Sequence, residues 1–221
     1  FAEILGGRVK TLHPKIHGAI LARGTDEHLG ELRDAEITPI DLVVCNLYPF
    51  IDTVSAPDVE ELVAIEQIDI GGVTLLRAAA KNFERVSVVC DPTTYSDVLS
   101  WIMEGGITVE QRRALALRAF RHTAQYDAAI STWLGRQVEP ALPQTITLTA
   151  ELVQPLRYGE NPHQQAGWYR YNGAKPAFSL KQGKALSYNN LVDVTAAWQM
   201  PSEVEQPCVA IVKHTNPCGM A

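Results

Sequence analysis

Two short runs of β-branched residues, each followed by a proline turn, constrain the fold of this chain most strongly. Residues 41–47 (DLVVCNL) and 85–90 (RVSVVC) are apolar, and a proline lies two positions beyond each run. Runs of this length and composition are typical of strands buried in a parallel sheet. Residues 58–66 and 71–82 have helical patterns, with Asp58 as the expected N-cap of the first. This order of elements predicts an α/β fold with a parallel sheet.

Two further helices are expected after the second run. One spans residues 94–104 and ends at a glycine pair. The other runs from about 109 to 136 and begins at a capping box formed by Thr108 and Gln111. Apolar or small side chains recur along it with a period near 3.6, at Ala116, Ala119, Phe120, Thr123, Tyr126, Ile130, Trp133 and Leu134. At about 1.5 Å per residue it is roughly 40 Å long, so we expect it to reach a neighbouring domain or subunit.

The sequence changes character after Gly135. Prolines at positions 140, 143 and 155 exclude a continuous helix there. Strands are predicted at residues 145–149 (TITLT), 167–171 (GWYRY) and 208–212 (CVAIV), and a short helix at 192–199. We place a domain boundary near residues 137–144.

The composition excludes several classes of protein. Of the 221 residues, 46% are hydrophobic and 20% are charged, which suits a folded chain with a sizeable core. Because the net charge is −6, we expect no nucleic-acid partner, which would need a basic face. No apolar run approaches the ~18–20 residues of a membrane span, and four scattered cysteines favour a cytoplasmic protein with reduced thiols. The chain begins with Phe1 rather than Met, and we expect it to be a fragment of a longer protein.

Polar segments at strand ends and helix starts are the candidates for chemistry, because backbone N–H groups there can face an anion. Residues 6–14 (GGRVKTLHP) place two cations and a hydroxyl beside a glycine pair, and residues 45–50 (CNLYPF) place an amide and a phenol after a strand. Residues 66–82 place Asp69 before a second glycine pair, with Lys81 three helical turns further on. Each segment also has an alternative without a ligand. Residues 6–14 would then be a solvated basic loop, residues 45–50 would hold a tyrosine packed under a loop, and residues 66–82 would be a helix end whose cations complement the dipole.

Two more polar segments lie in the second part of the chain. Residues 213–219 (KHTNPCG) put Lys213 beside His214, and an adjacent ammonium keeps a histidine neutral and able to accept a proton. Residues 157–164 (RYGENPHQ) offer an arginine and a tyrosine to a phosphate or a ribose. The alternative for both is a polar turn with incidental basic residues. The sequence has no zinc-deaminase motif, P-loop or dinucleotide fingerprint, so we expect no metal.

Taken in order, these segments resemble a known family. GGRVKTLHPKIHG, NLYPF, IDIGG, LRAAAKN, RYGENPHQ, SYNN and KHTNPCG are similar to the bifunctional purine-biosynthesis enzymes, phosphoribosylaminoimidazolecarboxamide formyltransferase / IMP cyclohydrolase. The resemblance implies that residues 1–137 are a cyclohydrolase domain with a methylglyoxal-synthase-like fold, lacking its N-terminal part. Residues 144–221 would be the N-terminal part of a formyltransferase domain, similar in fold to cytidine deaminase without the zinc.

The implied activity is the last two steps of purine biosynthesis. A formyl group moves from formyl-tetrahydrofolate, a co-substrate, to aminoimidazolecarboxamide ribonucleotide, and dehydrative ring closure then gives IMP. The resemblance implies nucleotide contacts from Arg8, Val9, Lys10, Thr11, Cys45, Asn46, Asp69 and Ile70. It implies that Lys81 is the proton donor and acceptor of ring closure, with Tyr48 and Asp69 beside it.

In the transferase part, the resemblance implies that Arg157, Tyr158 and Asn190 hold the nucleotide. His214 would take the proton from the attacking amine, and Lys213 would stabilise the transition state. The family further implies a homodimer acting on small-molecule nucleotides. An alternative from another class stays open: the chain is a non-catalytic α/β module that binds a phosphate ligand. Such a module would need cations but no proton acceptor beside them.

Overall fold

The two β-branched runs pair in parallel in the computed structural model, which describes residues 4–138, 141–171, 174 and 178–221. Strand β1 (Leu42–Val44) lies beside β2 (Ser87–Val89), and Val43 is opposite Val88. Parallel strands need a long crossover, and helices between them supply it. The prediction of an α/β fold with a parallel sheet is therefore confirmed.

The chain divides into two units, residues 1–147 and residues 148–221. The division lies a few positions beyond the expected linker at 137–144, of which residues 139 and 140 lie outside the described part. In the first unit, the described residues form the helices α1 (Pro14–Leu21), α2 (Asp26–Asp34), α3 (Phe50–Ser55), α4 (Glu61–Glu66), α5 (Gly71–Lys81), α6 (Tyr95–Met103) and α7 (Val109–Val138).

Helix α4 begins later than the sequence predicts. Asp58 has a φ of +58°, in the left-handed region, whereas an N-cap residue needs an extended backbone. Glu60 has that backbone, with φ −68° and ψ 139°, and occupies the N-cap position instead. The prediction of Asp58 as the cap is therefore wrong, because that residue lies in a turn three positions before the first residue of α4.

The core of the first unit forms where α5 and α7 pack against β2. Leu76, Val86 and Val88 are fully buried there. The predicted capping box at the start of α7 is confirmed, because Thr108 and Gln111 exchange hydrogen bonds of 2.8 and 3.2 Å. Along α7 the buried face comprises Leu115, Ala116, Ala119, Thr123, Tyr126 and Ala128.

Helix α7 has 30 residues and is about 45 Å long, close to the predicted length. Phe120, expected on its buried face, is 38% exposed and lies under the guanidinium of Arg77, 5.5 Å from the ring centre. Despite its length α7 is too polar to cross a membrane, and no other helix in the described part of the chain qualifies.

The second unit is built from two antiparallel strand pairs and one helix in its described residues. In chain order these are β3 (Ala150–Pro155), β4 (Gly167–Tyr171), α8 (Tyr188–Gln199), β5 (Ala210–Lys213) and β6 (Asn216–Met220). β3 pairs with β4, and β5 pairs with β6.

Three sequence expectations for the part of the chain after residue 144 differ from the structure. The strand predicted at 145–149 is wrong, because pairing of Ala150 with Tyr171 starts the ladder after that segment. Helix α8 begins at Tyr188 rather than near 192, because Ser187 and Asn190 form a capping box. The last predicted strand, 208–212, is observed at Ala210–Lys213.

Candidate functional sites

A cavity of about 240 Å³ opens where β1 ends and α5 begins. It brings together eight of the residues that the sequence singles out: Arg8, Lys10, Thr11, Cys45, Asn46, Tyr48, Asp69 and Ile70. They come from three separate chain segments, and the cavity lies at the carboxyl end of β1, where ligands of α/β sheets bind. The geometry therefore supports one site built from the first three polar segments.

Asp69 joins the end of the strand to the start of α5. Its Oδ1 accepts the Gly72 N–H at 2.7 Å, and its Oδ2 accepts the Tyr48 N–H at 3.2 Å. The Asp69 N–H in turn donates to the Tyr126 hydroxyl at 2.9 Å, and that hydroxyl donates to the Gln67 carbonyl at 2.6 Å. Through these hydrogen bonds Asp69 links the segment after β1, the start of α5 and helix α7 beside the cavity.

The glycine pair at the start of α5 is explained by two close approaches. A Cβ added at Gly71 would lie 2.7 Å from the Thr11 hydroxyl, and one added at Gly72 would lie 2.6 Å from Asp69 Oδ2. Contacts this short are repulsive, so a side chain at either position would displace a residue that lines the cavity. The two glycines let the backbone of α5 reach the cavity wall.

The cavity offers cations to an anionic ligand. Arg8 and Lys10 line it, and α5 begins at its wall, where the Gly72 N–H already donates to the Asp69 carboxylate. Arg8 forms a bidentate pair with Glu66, with atom separations of 2.5 and 3.4 Å. This hydrogen-bonded pairing raises the pKa of Arg8 and lowers the pKa of Glu66. Glu66 was not predicted from the sequence, since its partner lies 58 positions away.

Asn46 is oriented by two neighbours. Its Oδ1 accepts the Tyr95 hydroxyl at 2.7 Å, and its Nδ2 donates to the Cys90 carbonyl at 3.4 Å. Tyr95 was also missed, because no local pattern links the first residue of α6 to the end of β1. Beside Asn46, burial and then the charge of Asp69 raise the pKa of the Cys45 thiol. Cys45 is therefore a protonated thiol that can contact a ligand, and it is a poor nucleophile.

Two predicted site residues do not line this cavity. Val9 forms an isolated antiparallel bridge with Ile4. Lys81 is the last residue of α5, ten positions and about 15 Å along the helix from Gly71. Its neighbour Asn82 bonds the Ile20 carbonyl at the far end of α1. Lys81 is thus not among the residues that line the cavity, and its part in ring closure stays a prediction.

A second group forms in the second unit. Arg157 donates to Asn190 Oδ1 at 3.2 Å, and its guanidinium lies 5.3 Å from the centre of the Tyr158 ring. Backbone bonds from Arg157 N to Leu186 O and from Tyr188 N to Tyr158 O hold the 157–158 segment against the start of α8. The structure therefore brings together the three residues predicted to hold a nucleotide there.

Lys213 and His214 lie at the exposed end of the β5–β6 hairpin. The Thr215 N–H donates to Asp193 Oδ1 at 2.9 Å, which attaches this turn to α8. Asp193 lies three residues after Asn190, so the two side chains share one face of the helix. The predicted acid–base pair is thus attached to the same helix as the Arg157 group.

Cation-binding clusters are absent from the residues that the structure describes: no group of three or more His, Cys, Asp or Glu side chains could hold a metal ion.

Comparison with known proteins shows which family this chain resembles. A model of the AICARFT/IMPCHase bienzyme family matches residues 79–221. Proteins named "Bifunctional purine biosynthesis protein PurH" from Cutibacterium acnes and Bacillus subtilis are 50% and 49% identical to the chain, over 228 and 226 residues. Both alignments cover 100% of this chain and 44% of the relative, so the chain spans less than half the length of these proteins.

One solved structure is also similar. It is described as "Crystal structure of ForH", with a TM-score of 0.53 and 39% sequence identity. The match covers 63% of this chain and 72% of that one.

Proposed function

This chain belongs to the AICARFT/IMPCHase bienzyme family, and on that premise we propose that it contributes to the last two steps of purine-nucleotide synthesis. In the first step, a formyl group passes from formyl-tetrahydrofolate to the amine of aminoimidazolecarboxamide ribonucleotide. In the second, the product closes its ring, losing water, to give IMP. The observation that carries the proposal is the cavity beside β1, which brings together residues from three of the polar segments that resemble this family.

Ring closure requires mainly orientation. The carboxamide nitrogen attacks a formyl carbon of the same molecule, so the protein must hold the two groups together and stabilise developing charge. We assign the nucleotide phosphate to Lys10 and Thr11, both of which line the cavity. Asn46, held by Tyr95, is placed to hydrogen-bond the base. We keep the proton exchange of ring closure for Lys81, as the family resemblance implies.

Formyl transfer requires help for a poor nucleophile. The aromatic amine must lose a proton as it attacks the formyl carbon, and a neutral histidine can accept that proton. We assign this role to His214 and stabilisation of the tetrahedral oxyanion to Lys213. Arg157, Tyr158 and Asn190 are assigned to the nucleotide, because they already form one hydrogen-bonded and stacked group.

The finer assignments follow from family membership. We propose a methylglyoxal-synthase-like fold for the first unit and a cytidine-deaminase-like fold for the second, together with a cytoplasmic homodimer. The parallel β1–β2 pair with an anion-binding edge supports the first assignment. The attachment of a polar turn to the helix that carries Asn190 is compatible with the second.

The test is an assay of both reactions with the full-length protein. His214→Ala should abolish formyl transfer while ring closure of the formylated nucleotide continues at the wild-type rate. Lys81→Ala should abolish ring closure while the nucleotide still binds, and an unchanged rate of ring closure in this variant would contradict the assignment of Lys81.

Loss of both reactions in His214→Ala would indicate a folding defect and would contradict the assignment of that residue. Binding of the nucleotide by the wild type without turnover of either reaction would overturn the proposed function in favour of a non-catalytic module.

A further inference from the structure

The turn that carries Lys213 and His214 has an unfavourable backbone. His214 and Thr215 have φ values of +49° and +61°, both in the left-handed region. Two-residue hairpin turns of this kind are normally made by Asn and Gly, because other L-residues clash there. A β-branched residue such as Thr is a genuine outlier at such an angle. Such strain persists only where surrounding contacts impose it.

One contact imposes it from outside the hairpin. Within the turn, the Thr215 hydroxyl and the Asn216 amide both donate to the His214 carbonyl, at 2.6 and 2.8 Å. The Thr215 N–H points away from these groups and donates to Asp193 Oδ1 on α8 at 2.9 Å. A carboxylate is a strong acceptor for a backbone N–H, and here it bonds the residue that carries the most strain.

The same helix face holds the predicted nucleotide group. Asn190, three residues before Asp193, accepts the Arg157 guanidinium, and side chains three positions apart on a helix are neighbours. Helix α8 packs against β5, and the bond between Asp193 and Thr215 attaches the tip of the hairpin to the helix that carries Asn190.

We propose that Asp193 is a positioning residue for formyl transfer, which holds the Lys213–His214 turn in its left-handed conformation beside the nucleotide-binding face of α8. This inference rests on the proposed function of the second unit. It assigns Asp193 no contact with substrate: its carboxylate acts through the Thr215 N–H alone.

The test uses the full-length protein and three variants. Asp193→Ala should lower kcat for formyl transfer about 10- to 100-fold, as expected for losing a hydrogen bond to a charged group. The KM for the nucleotide should stay within about twofold, because Arg157, Tyr158 and Asn190 are untouched. Asp193→Asn, which keeps an acceptor oxygen, should recover most of the rate. Asp193→Ala combined with Thr215→Gly should recover part of it, because glycine adopts positive φ without a clash.

Glu203→Ala is the matched control, since it removes an exposed acidic side chain of the same unit and should leave both reactions unchanged. An independent readout is hydrogen exchange of the Thr215 amide, which should accelerate at least about tenfold in Asp193→Ala.

A wild-type kcat in Asp193→Ala, or unchanged exchange at Thr215, would overturn the inference. So would equal losses in Asp193→Asn and Asp193→Ala, because then the hydrogen-bond acceptor would not be the cause. An inactive wild-type protein would instead overturn the proposed function, while the exchange measurement would still decide whether Asp193 holds the turn.

Discussion

The two units of this chain build their candidate sites in different ways. In the first, the cavity lies beside a core whose central side chains, such as Leu76 and Val88, are fully buried. In the second, Gly159 and Ser187 are the buried residues of the described part, and apolar side chains such as Leu152 and Ile211 are 50% and 62% exposed.

The difference shows what each site depends on. The first site is positioned by packed elements, so its geometry and the stability of its unit are coupled. The second is positioned by individual hydrogen bonds, such as those from Arg157 to Asn190 and from Thr215 to Asp193. Substitutions in the first unit should therefore cost stability first, and substitutions in the second should alter the site locally.

The largest effect is expected for Leu76→Ala. Removing a fully buried leucine leaves a cavity and should lower the free energy of unfolding by about 2–5 kcal/mol. The matched substitution in the second unit, Leu152→Ala, removes a side chain that is half exposed in this 221-residue chain, and it should cost the same chain about 1 kcal/mol or less. Urea unfolding of both variants measures the difference, and equal losses would break the comparison between the units.

Gly72→Ala should damage the first site through packing. The new methyl group would lie 2.6 Å from Asp69 Oδ2 and push that carboxylate off the Tyr48 and Gly72 N–H groups. We expect a loss of about 1–3 kcal/mol in stability and weaker binding of IMP. Gly30→Ala is the control, because its methyl group would meet only the tip of Arg33 at 3.8 Å. Gly30→Ala should leave stability unchanged or raise it. If Gly72→Ala also kept its stability and its affinity for IMP, the close approach of Gly72 to Asp69 would not be needed for the site.

Tyr126→Phe tests whether α7 supports the cavity. The change leaves the Asp69 N–H and the Gln67 carbonyl without their shared partner and should cost about 1–3 kcal/mol. Thermal or urea unfolding measures this cost. Tyr171→Phe, which removes the hydroxyl of an exposed tyrosine on β4, should change stability by less than about 0.5 kcal/mol. If the two variants were equally stable, α7 would not hold the Asp69 segment.

The smallest effect concerns pH. Burial lowers the pKa of His122 below its ordinary value of 6.5, and the charge of Asp91 partly offsets this. The unfolded chain therefore takes up a proton at a higher pH than the folded chain does, so stability should fall as the pH drops below about 6.5. His122→Gln should reduce this fall, as measured by unfolding at pH 7.5 and 5.5. His163→Gln is the control in the other unit, and an equal response of the two variants would contradict the role of His122.

The sequence predicts the elements that local patterns determine. The β-branched runs, the glycine start of α5 and the capping box of α7 are all observed where expected. The errors arise where tertiary geometry decides. The strand predicted at 145–149 has the right composition, but its neighbour Ala150 is the residue that pairs with β4.

The same limit applies to the first site. Three polar segments could be recognised as ligand-binding from their residue types, and the cavity joins them. The side chains that hold these segments in place could not be predicted. Glu66 bonds Arg8 from 58 positions away in the sequence, and Tyr95 bonds Asn46 from 49 positions away. Lys81 lies at the other end of α5 from the glycine pair, and its predicted part in ring closure stays a prediction.

The central claim is that the cavity beside β1 binds the phosphate of a purine nucleotide. Isothermal titration of IMP into the full-length wild type, Lys10→Ala and Lys15→Ala tests it most directly, because Lys10 lines the cavity and Lys15 is an exposed lysine of α1 outside its lining. We predict that Lys10→Ala raises the Kd about tenfold or more while Lys15→Ala leaves it unchanged. An unchanged Kd in Lys10→Ala, or equal changes in both variants, would contradict the claim.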